Sequence, residues 1–390
     1  MRVFNVVIKF LTPTLLQVKE GYRGMIYSGV TDKVPGSTIR GSLLTWGIRE
    51  GIISKDEAVK ESLNPKYSVT TFLLTRETSR MYEDVMVAHA LSLTFKKGLG
   101  DGTIYSLGID RLISKYVSRS TMLAPKDILA ELVNEVMKRI DTKGDELRCS
   151  ANTERVMGSS LTKVNDSWRL SKDLVSYISG SYVGVGIDRL RRTSAPGIIF
   201  GYEYVEAGAT YLGIVTCSED SVMCKVMETL RRSNAVINVG KGTSRGYGLA
   251  KILSIKELSP KIVSNVKEGV YIALEVIGPT FTLKPYTSTS APIPRPPVPG
   301  DEIIVRNKGE PLRLEVVGVF GGINVFRGWS LRTGTPKLAI KALDYGSLII
   351  ARVRGNVKLL NMLPYIGINE FSSQGFNIVL PLVTDFLPSP

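Results

Sequence analysis

Histidine is nearly absent from this chain of 390 residues: His89 is the only one. Cysteine is scarce as well, limited to Cys149, Cys217 and Cys224 with no CxxC pair. No zinc site of the Cys/His kind can be assembled from that inventory. The same scarcity all but removes His-based acid–base chemistry and a Ser-His-Asp triad. Three scattered cysteines also argue against a secreted disulfide scaffold. Long hydrophobic runs are missing too, since no stretch reaches the ~18 uninterrupted apolar residues of a membrane span. The opening MRVFNVVIKFLTPTLLQV alternates and lacks a small-residue cleavage site, so it reads as a strand rather than a signal peptide. The expectation is a cytoplasmic protein with no metal site, no cofactor and no membrane partner.

What is present is apolar enough to fold and strongly basic. Hydrophobic residues make up 43% of the chain and charged residues 22%, which fits two domains better than one small domain or a disordered tail. Lys and Arg total 50 against 36 Asp and Glu, a formal charge of +14. That excess predicts an extended anionic partner, nucleic acid first and an anionic membrane second.

Residues 3–11 form a β-rich run. After a polar loop containing Gly21, Gly24 and Gly29, Pro35-Gly36 signals a turn, and Ser37 or Thr38 is a natural N-cap. Ile39, Leu43 and Trp46 then repeat at helical spacing, predicting a helix from about Thr38 to Arg49. Residues 51–180 read as a largely helical insertion. Within it, APKDILAELVNEVMKRIDTKG has Pro125 in a first turn and Ile128, Leu132, Val136 and Ile140 on one face; DVMVAHALSLTF reads as helical too. Residues 197–205 and 209–217 read as a strand hairpin. Ser218 could cap a helix with Val222, Met223, Val226, Met227 and Leu230 on its apolar face, and LAKILSI is a further strand.

With the insertion set aside, residues 1–258 give the order β-α-β-β-α-β, that of an α+β, ferredoxin-like (RRM-type) sandwich. A second domain, 269–390, is expected as a shorter, degenerate copy. Val276-Ile-Gly-Pro-Thr-Phe-Thr282 echoes Phe10-Leu-Thr-Pro-Thr-Leu-Leu16, and Ser373-Gln-Gly-Phe-Asn377 echoes Ser244-Arg-Gly-Tyr-Gly248. The proline-rich segment 291–300 suits a stiff loop of that domain better than an exposed ligand for another protein.

The segment Gly240-Lys-Gly-Thr-Ser-Arg-Gly-Tyr-Gly248 has four glycines in nine residues. Glycine lets a backbone approach a ligand and aim amides at phosphates. Lys241 and Arg245 supply charge, Ser244 a hydroxyl, and Tyr247 a flat face on which a base can stack. It is not a P-loop, because Gly-Lys is followed by Gly242 and a strand rather than a helix comes next. Ser37 and Arg40 sit at the start of a helix, where free amides favour anions. Arg189, Arg191 and Arg192 surround one carboxylate, and Arg forks suit phosphate; they would enter the RNA-facing sheet. Trp329, near Arg332 and Lys337, could stack on a base but better suits an anchoring core role, and His89 reads as a core or interface residue.

VPGSTIRGSLL, IDRLRRTSAPGIIFGYEYVEAGATYLGIV and GKGTSRGYG, in this order, resemble the CRISPR-associated RAMP superfamily. GWSLRTGTPKLAIKALDYGS and GINEFSSQGFNIVL further resemble its two-domain members that cap the guide-RNA end of type III effector complexes, subtype D in particular. The resemblance implies a non-catalytic subunit that holds the single-stranded 5′ handle of a CRISPR RNA. Its implied protein partners are the large polymerase-like subunit and a RAMP backbone subunit, with Ser37, Arg40, Lys241, Ser244 and Arg245 as RNA contacts. GINEFSSQGF departs from the pattern: it is poor in glycine and has no basic residue, as a purely structural segment would be. Related backbone subunits cut target RNA with an aspartate before the corresponding helix. An alternative is therefore a metal-assisted endoribonuclease using Asp32, four residues before Gly36. A membrane-surface or protein-only adaptor is a third reading, which no basic amphipathic helix supports.

Overall fold

The computed structural model describes residues 1–16, 26–27, 32–76, 79–95, 102–118, 131–132, 153–174, 179–188, 190–260, 266–284, 292–306, 309–327, 329–330 and 335–382. The chain is mixed α/β and dominated by strands. It divides into two compact units, one of Met1–Met81 with Ser171–Leu258, the other of Tyr82–Leu170 with Ser259–Pro390. Among the described residues no helix is long and apolar enough to cross a membrane.

The first unit contains, in chain order, β1 (Arg2–Phe10), α1 (Gly36–Arg49), β2 (Phe72–Leu74), β3 (Ser179–Asp188), β4 (Thr193–Val205), β5 (Thr210–Cys217), α2 (Val222–Arg232) and β6 (Leu249–Leu258). Its main sheet runs β6-β1-β5-β2, antiparallel throughout, with short strands added at both edges. Phe4, Val6, Ile8 and Phe10 of β1 share a core with Leu43 and Trp46 of α1 and Val226, Met227 and Leu230 of α2. Each such side chain taken out of water contributes about 2 kcal/mol. Gly47 lets the two helices meet, since a Cβ there would lie 2.6 Å from Cγ2 of Val226. On the opposite face Asn5, Val7, Leu73, Leu212 and Ile214 are buried as well. That face is therefore closed over β2, β5 and the middle of β1, whereas Lys9, Lys251 and Lys256 leave its β6 side partly open.

Several local expectations are corrected here. α1 begins at Gly36, and its N-cap is Pro35, whose carbonyl accepts from the Thr38 and Ile39 amides, so neither Ser37 nor Thr38 caps it. α2 is capped by Ser221 rather than Ser218, with Oγ accepting from the Met223 amide at 3.1 Å. Strands 193–205 and 210–217 do not form a hairpin. β4 pairs instead with β3, and the two form a ribbon separate from the main sheet, with Ile26–Tyr27 added in parallel beside β4. The strands that follow α1 in the main sheet, Tyr67–Val69 and then β2, both paired with β5, come from inside the supposed insertion. Cys217 and Cys224 are joined by a disulfide between the end of β5 and α2, a pairing their separation did not suggest; Cys149 lies outside the described residues.

The second unit is built on β7 (Tyr271–Val276), β8 (Leu312–Phe320), β9 (Ile323–Phe326), β10 (Ile340–Leu343), β11 (Leu348–Gly355) and β12 (Val379–Leu382). Its sheet runs β12-β7-β11-β8, again antiparallel, with Glu302–Val305 outside β8. One face packs on Leu359, Leu360 and Leu363 of short helical turns. The other covers Leu91, Leu107, Ile109 and Leu112, from the segment expected to be a helical insertion. Among the described residues that segment mixes short strands, Val85–Val87, Ser92–Phe95, Tyr105–Ser106, Thr153–Arg155, Ser160–Val164 and Ser167–Leu170, with helices Lys55–Leu63, Ile109–Ser118 and Ser171–Leu174. DVMVAHALSLTF forms strands because residues 85–92 are buried without interruption, leaving no polar face for a surface helix. His89 is fully buried, and its Nδ1 accepts from the Leu91 amide at 3.2 Å. Of the helix expected after Pro125, only residues 131–132 are described, and they are helical. The described part of the proline-rich segment forms a short strand, Ile293–Arg295, and a turn locked by two Arg295–Asp301 bonds of 2.9 and 2.8 Å.

The same bonds recur in both units. After β1, the Thr14 amide donates to the Val205 carbonyl at 2.8 Å, and after β7 the Thr280 amide donates to that of Leu343 at 3.1 Å. The Gly248 amide donates to Pro13 at 2.9 Å, and the Asn377 amide donates to Pro279 at 3.0 Å. Gly208 donates to Phe10 at 2.7 Å as Gly346 does to Val276 at 2.8 Å. In each unit an antiparallel pair, β3–β4 or β9–β10, precedes the strand beside β1 or β7, and in the first unit Ile26–Tyr27 adds a third strand beside β4.

Candidate nucleic-acid interface

The Gly-rich segment links the short strand Val236–Asn238 to β6. Thr243–Arg245 make one 3-10 turn between Gly242 and Gly246, which are left-handed at φ 73° and 88°. The outer glycines are needed by the protein's own backbone rather than by a ligand. A Cβ at Gly240 would lie 2.5 Å from the Leu15 carbonyl oxygen, and one at Gly248 only 2.0 Å from that of Val239. Lys241 pairs with Leu15 through a 3.0 Å amide bond, so the turn is held down on the chain that follows β1. Its outer surface is open: Lys241, Thr243, Ser244, Arg245 and Gly246 are exposed among the described residues, and Tyr247 is half-buried. Lys241, Ser244, Arg245 and Tyr247 are thus brought together on one rigid turn, with two cations and a hydroxyl facing outward.

Two residues that the sequence reading missed complete this surface. The Arg245 guanidinium lies over the Tyr202 ring, 5.6 Å from its centroid, and the Tyr247 ring lies 6.4 Å from that of Tyr204. Both distances suit aromatic and cation–π contact. The signal was GYEYV: residues two apart on a strand share a face, so its tyrosines point together. The negative charge of Glu206 and then burial hold the Tyr204 phenol above its ordinary pKa, keeping it neutral.

The other expected contacts lie elsewhere. Arg40 is half-buried: Nε donates to the Tyr67 hydroxyl at 2.7 Å, a second nitrogen donates to Ser62 Oγ at 2.7 Å, and the guanidinium lies over the Tyr67 ring. It ties α1 to the elements after it. Ser37, also half-buried, is in the first turn of α1. Arg191 and Arg192 are exposed at the tip of the β3–β4 ribbon, and Arg189 lies outside the described residues. Asp188 folds that tip, accepting from the Leu190 amide at 2.9 Å and the Arg191 amide at 3.2 Å, while Arg192 adopts φ 54°. Along β4, nine strand steps separate Thr193 from Tyr202, roughly 30 Å at strand rise. The tip arginines and the Gly-rich turn, which joins two strands of the main sheet, are therefore separate basic positions.

Asp32 stands just before α1 with its carboxylate 2.5 Å from Lys33 Nζ, and its carbonyl accepts from the Leu74 amide at 2.8 Å. In the second unit the equivalent turn, Glu370–Gln374, leads into Gly375 at φ 81° and Asn377 at φ 57°. It is filled rather than open: Ser372, Ser373 and Asn377 are buried, and the Phe281 ring packs on Phe371 and Phe376 at 5.0 and 5.7 Å. Lys337 donates to Gln374 at 3.1 Å. The side chains of Trp329 and Arg332 lie outside the described residues.

Known proteins place this chain in a family. No curated protein matches it. Among solved structures, a chain of the type III-B Cmr-beta complex bound to cognate target RNA is similar over 96% of each chain, at 11% identity and a TM-score of 0.48. A chain from the same kind of complex bound to target RNA and AMPPnP is 12% identical over 89% of this chain and 86% of that one, with a TM-score of 0.45. A chain of the Csm3–Csm4 subcomplex of the type III-A CRISPR-Cas interference complex is 9% identical over 92% and 95%, with a TM-score of 0.38. The RAMP superfamily model matches residues 8–251, more than half of the sequence and all of the Gly-rich segment. The chain belongs to the RAMP superfamily.

Proposed function

We propose that this protein is a non-catalytic RNA-binding subunit of a type III CRISPR effector complex, holding the 5′ handle of the CRISPR RNA and touching the large subunit and a backbone subunit. One observation carries the reading: Lys241, Ser244 and Arg245 are presented outward on a turn with four left-handed glycines, held against the protein's own backbone at Gly240 and Gly248. Preorganised cations of this kind bind phosphates without paying for loop ordering on contact. The net charge of +14 supports the same partner. In this reading each unit is a ferredoxin-like half, the second a duplicate in which short turns stand where α1 and α2 stand in the first. The second copy's turn has become a structural plug, and Arg40 acts by positioning α1 rather than by touching RNA.

The test is to purify the natively expressed protein and sequence the RNA that comes with it. A shared 5′ tag followed by diverse spacers supports the proposal. Purification free of RNA, or with unrelated cellular RNA only, refutes it.

A further inference from the structure

The β3–β4 ribbon has one face that the phosphate-gripping turn does not explain. Tyr182 stands directly opposite Tyr202, and Gly180 directly opposite Tyr204, so the three tyrosines share that face. Val183 and Val185, exposed on the same strand, point the other way by strand alternation. Gly180 has a reason to be glycine: a Cβ there would fall 2.3 Å from the Tyr204 ring, which lies flat across the neighbouring strand. Tyr182 is 50% exposed, and Tyr202 and Tyr204 are half-buried. Arg245 and Tyr247 reach this face from the Gly-rich turn, as described above.

We infer that Tyr182, Tyr202 and Tyr204, together with Arg245 and Tyr247, form a base-stacking platform for single-stranded RNA whose backbone lies on the Gly-rich turn. This inference rests on the RNA-binding reading. One exposed and two half-buried tyrosines beside an arginine offer flat π faces and a planar cation, which unpaired bases cover. A duplex, with its bases already stacked, gains nothing from them. The main sheet is closed over β2, β5 and the middle of β1, and the aromatic face lies on the ribbon instead. Because every base has a π face, the platform selects single strands rather than a sequence.

The full-length protein is titrated with a short oligouridylate carrying spaced 2-aminopurines, whose fluorescence is quenched on stacking. The wild type quenches on binding. Tyr202→Leu with Tyr204→Leu keeps apolar bulk over Gly180 but no flat ring; it weakens binding roughly tenfold and loses most of the quenching, while the salt dependence stays as in the wild type. Tyr202→Phe with Tyr204→Phe keeps both affinity and quenching. Should the double Leu variant fail to fold, Tyr182→Leu at its exposed position gives a smaller, partial loss of quenching. Binding and quenching like those of the wild type in the Leu variants overturn the platform and leave the phosphate grip standing. A wild type that binds no RNA in a salt-sensitive way overturns the RNA reading and the platform with it.

Discussion

The Gly248 amide donates to the Pro13 carbonyl at 2.9 Å, closing the Gly-rich turn onto the chain that leaves β1. Gly248 itself is left-handed at φ 76°, with the Val239 carbonyl oxygen where a Cβ would be. Gly248→Ala therefore destabilises the first unit by about 2 kcal/mol or more, through strain and backbone collision together. Thermal unfolding checks this. A variant as stable as the wild type would mean that the turn is not pinned as described.

Helix contact in the first unit gives a second expectation. Gly47→Ala pushes a methyl against Val226, and a β-branched neighbour in a packed core yields little. A loss of about 1–3 kcal/mol in denaturant unfolding is expected. Gly41→Ala, with open space at its Cβ position on the same helix, should instead be neutral or stabilising.

Asp301 supplies a pH-dependent test. Burial pulls its carboxyl upward, but Arg295, the Val298 amide and Lys284 outweigh that and hold it below the ordinary aspartate value. A depressed folded pKa means that the group's contribution is complete above about pH 4 and is lost as the pH falls through the lower folded value. Asp301→Asn should cost about 2 kcal/mol at neutral pH. The gap between wild type and variant should narrow as the solution is made acid, and a constant gap would contradict the assignment.

Much of the first unit could be read from periodicity. β1, α1, the apolar face of α2 and β6 follow from residues such as Ile39, Leu43, Val226 and Leu230, whose spacing reports which side faces the core. The Gly-rich turn was legible from composition, although two of its glycines answer to Leu15 and Val239 rather than to a ligand. What was not legible depends on long-range pairing. Nothing local states that β4 leaves the main sheet for β3, and so the role of Tyr202 and Tyr204 stayed hidden. The run around His89 is apolar on every side, and such a run does not distinguish strand from helix. The recurrence of Phe10–Leu16 in Val276–Thr282 pointed to the matching bonds at Pro13 and Pro279.

Asp32 separates the two readings of catalysis. Its carboxylate is paired with Lys33 at the entry to α1. In an assembled complex, Asp32→Ala is expected to leave both RNA binding and target cleavage unchanged. Cleavage abolished with binding intact would move the protein to the nuclease class.

The most direct measurement is the salt dependence of single-stranded RNA affinity for the full chain and for Lys241→Ala with Arg245→Ala. Each phosphate neutralised contributes about −0.7 to the log–log slope. The account predicts weaker binding by the double variant and a slope shallower by about 1.4. An unchanged slope and affinity would contradict it, because the turn would then be exposed, charged and idle.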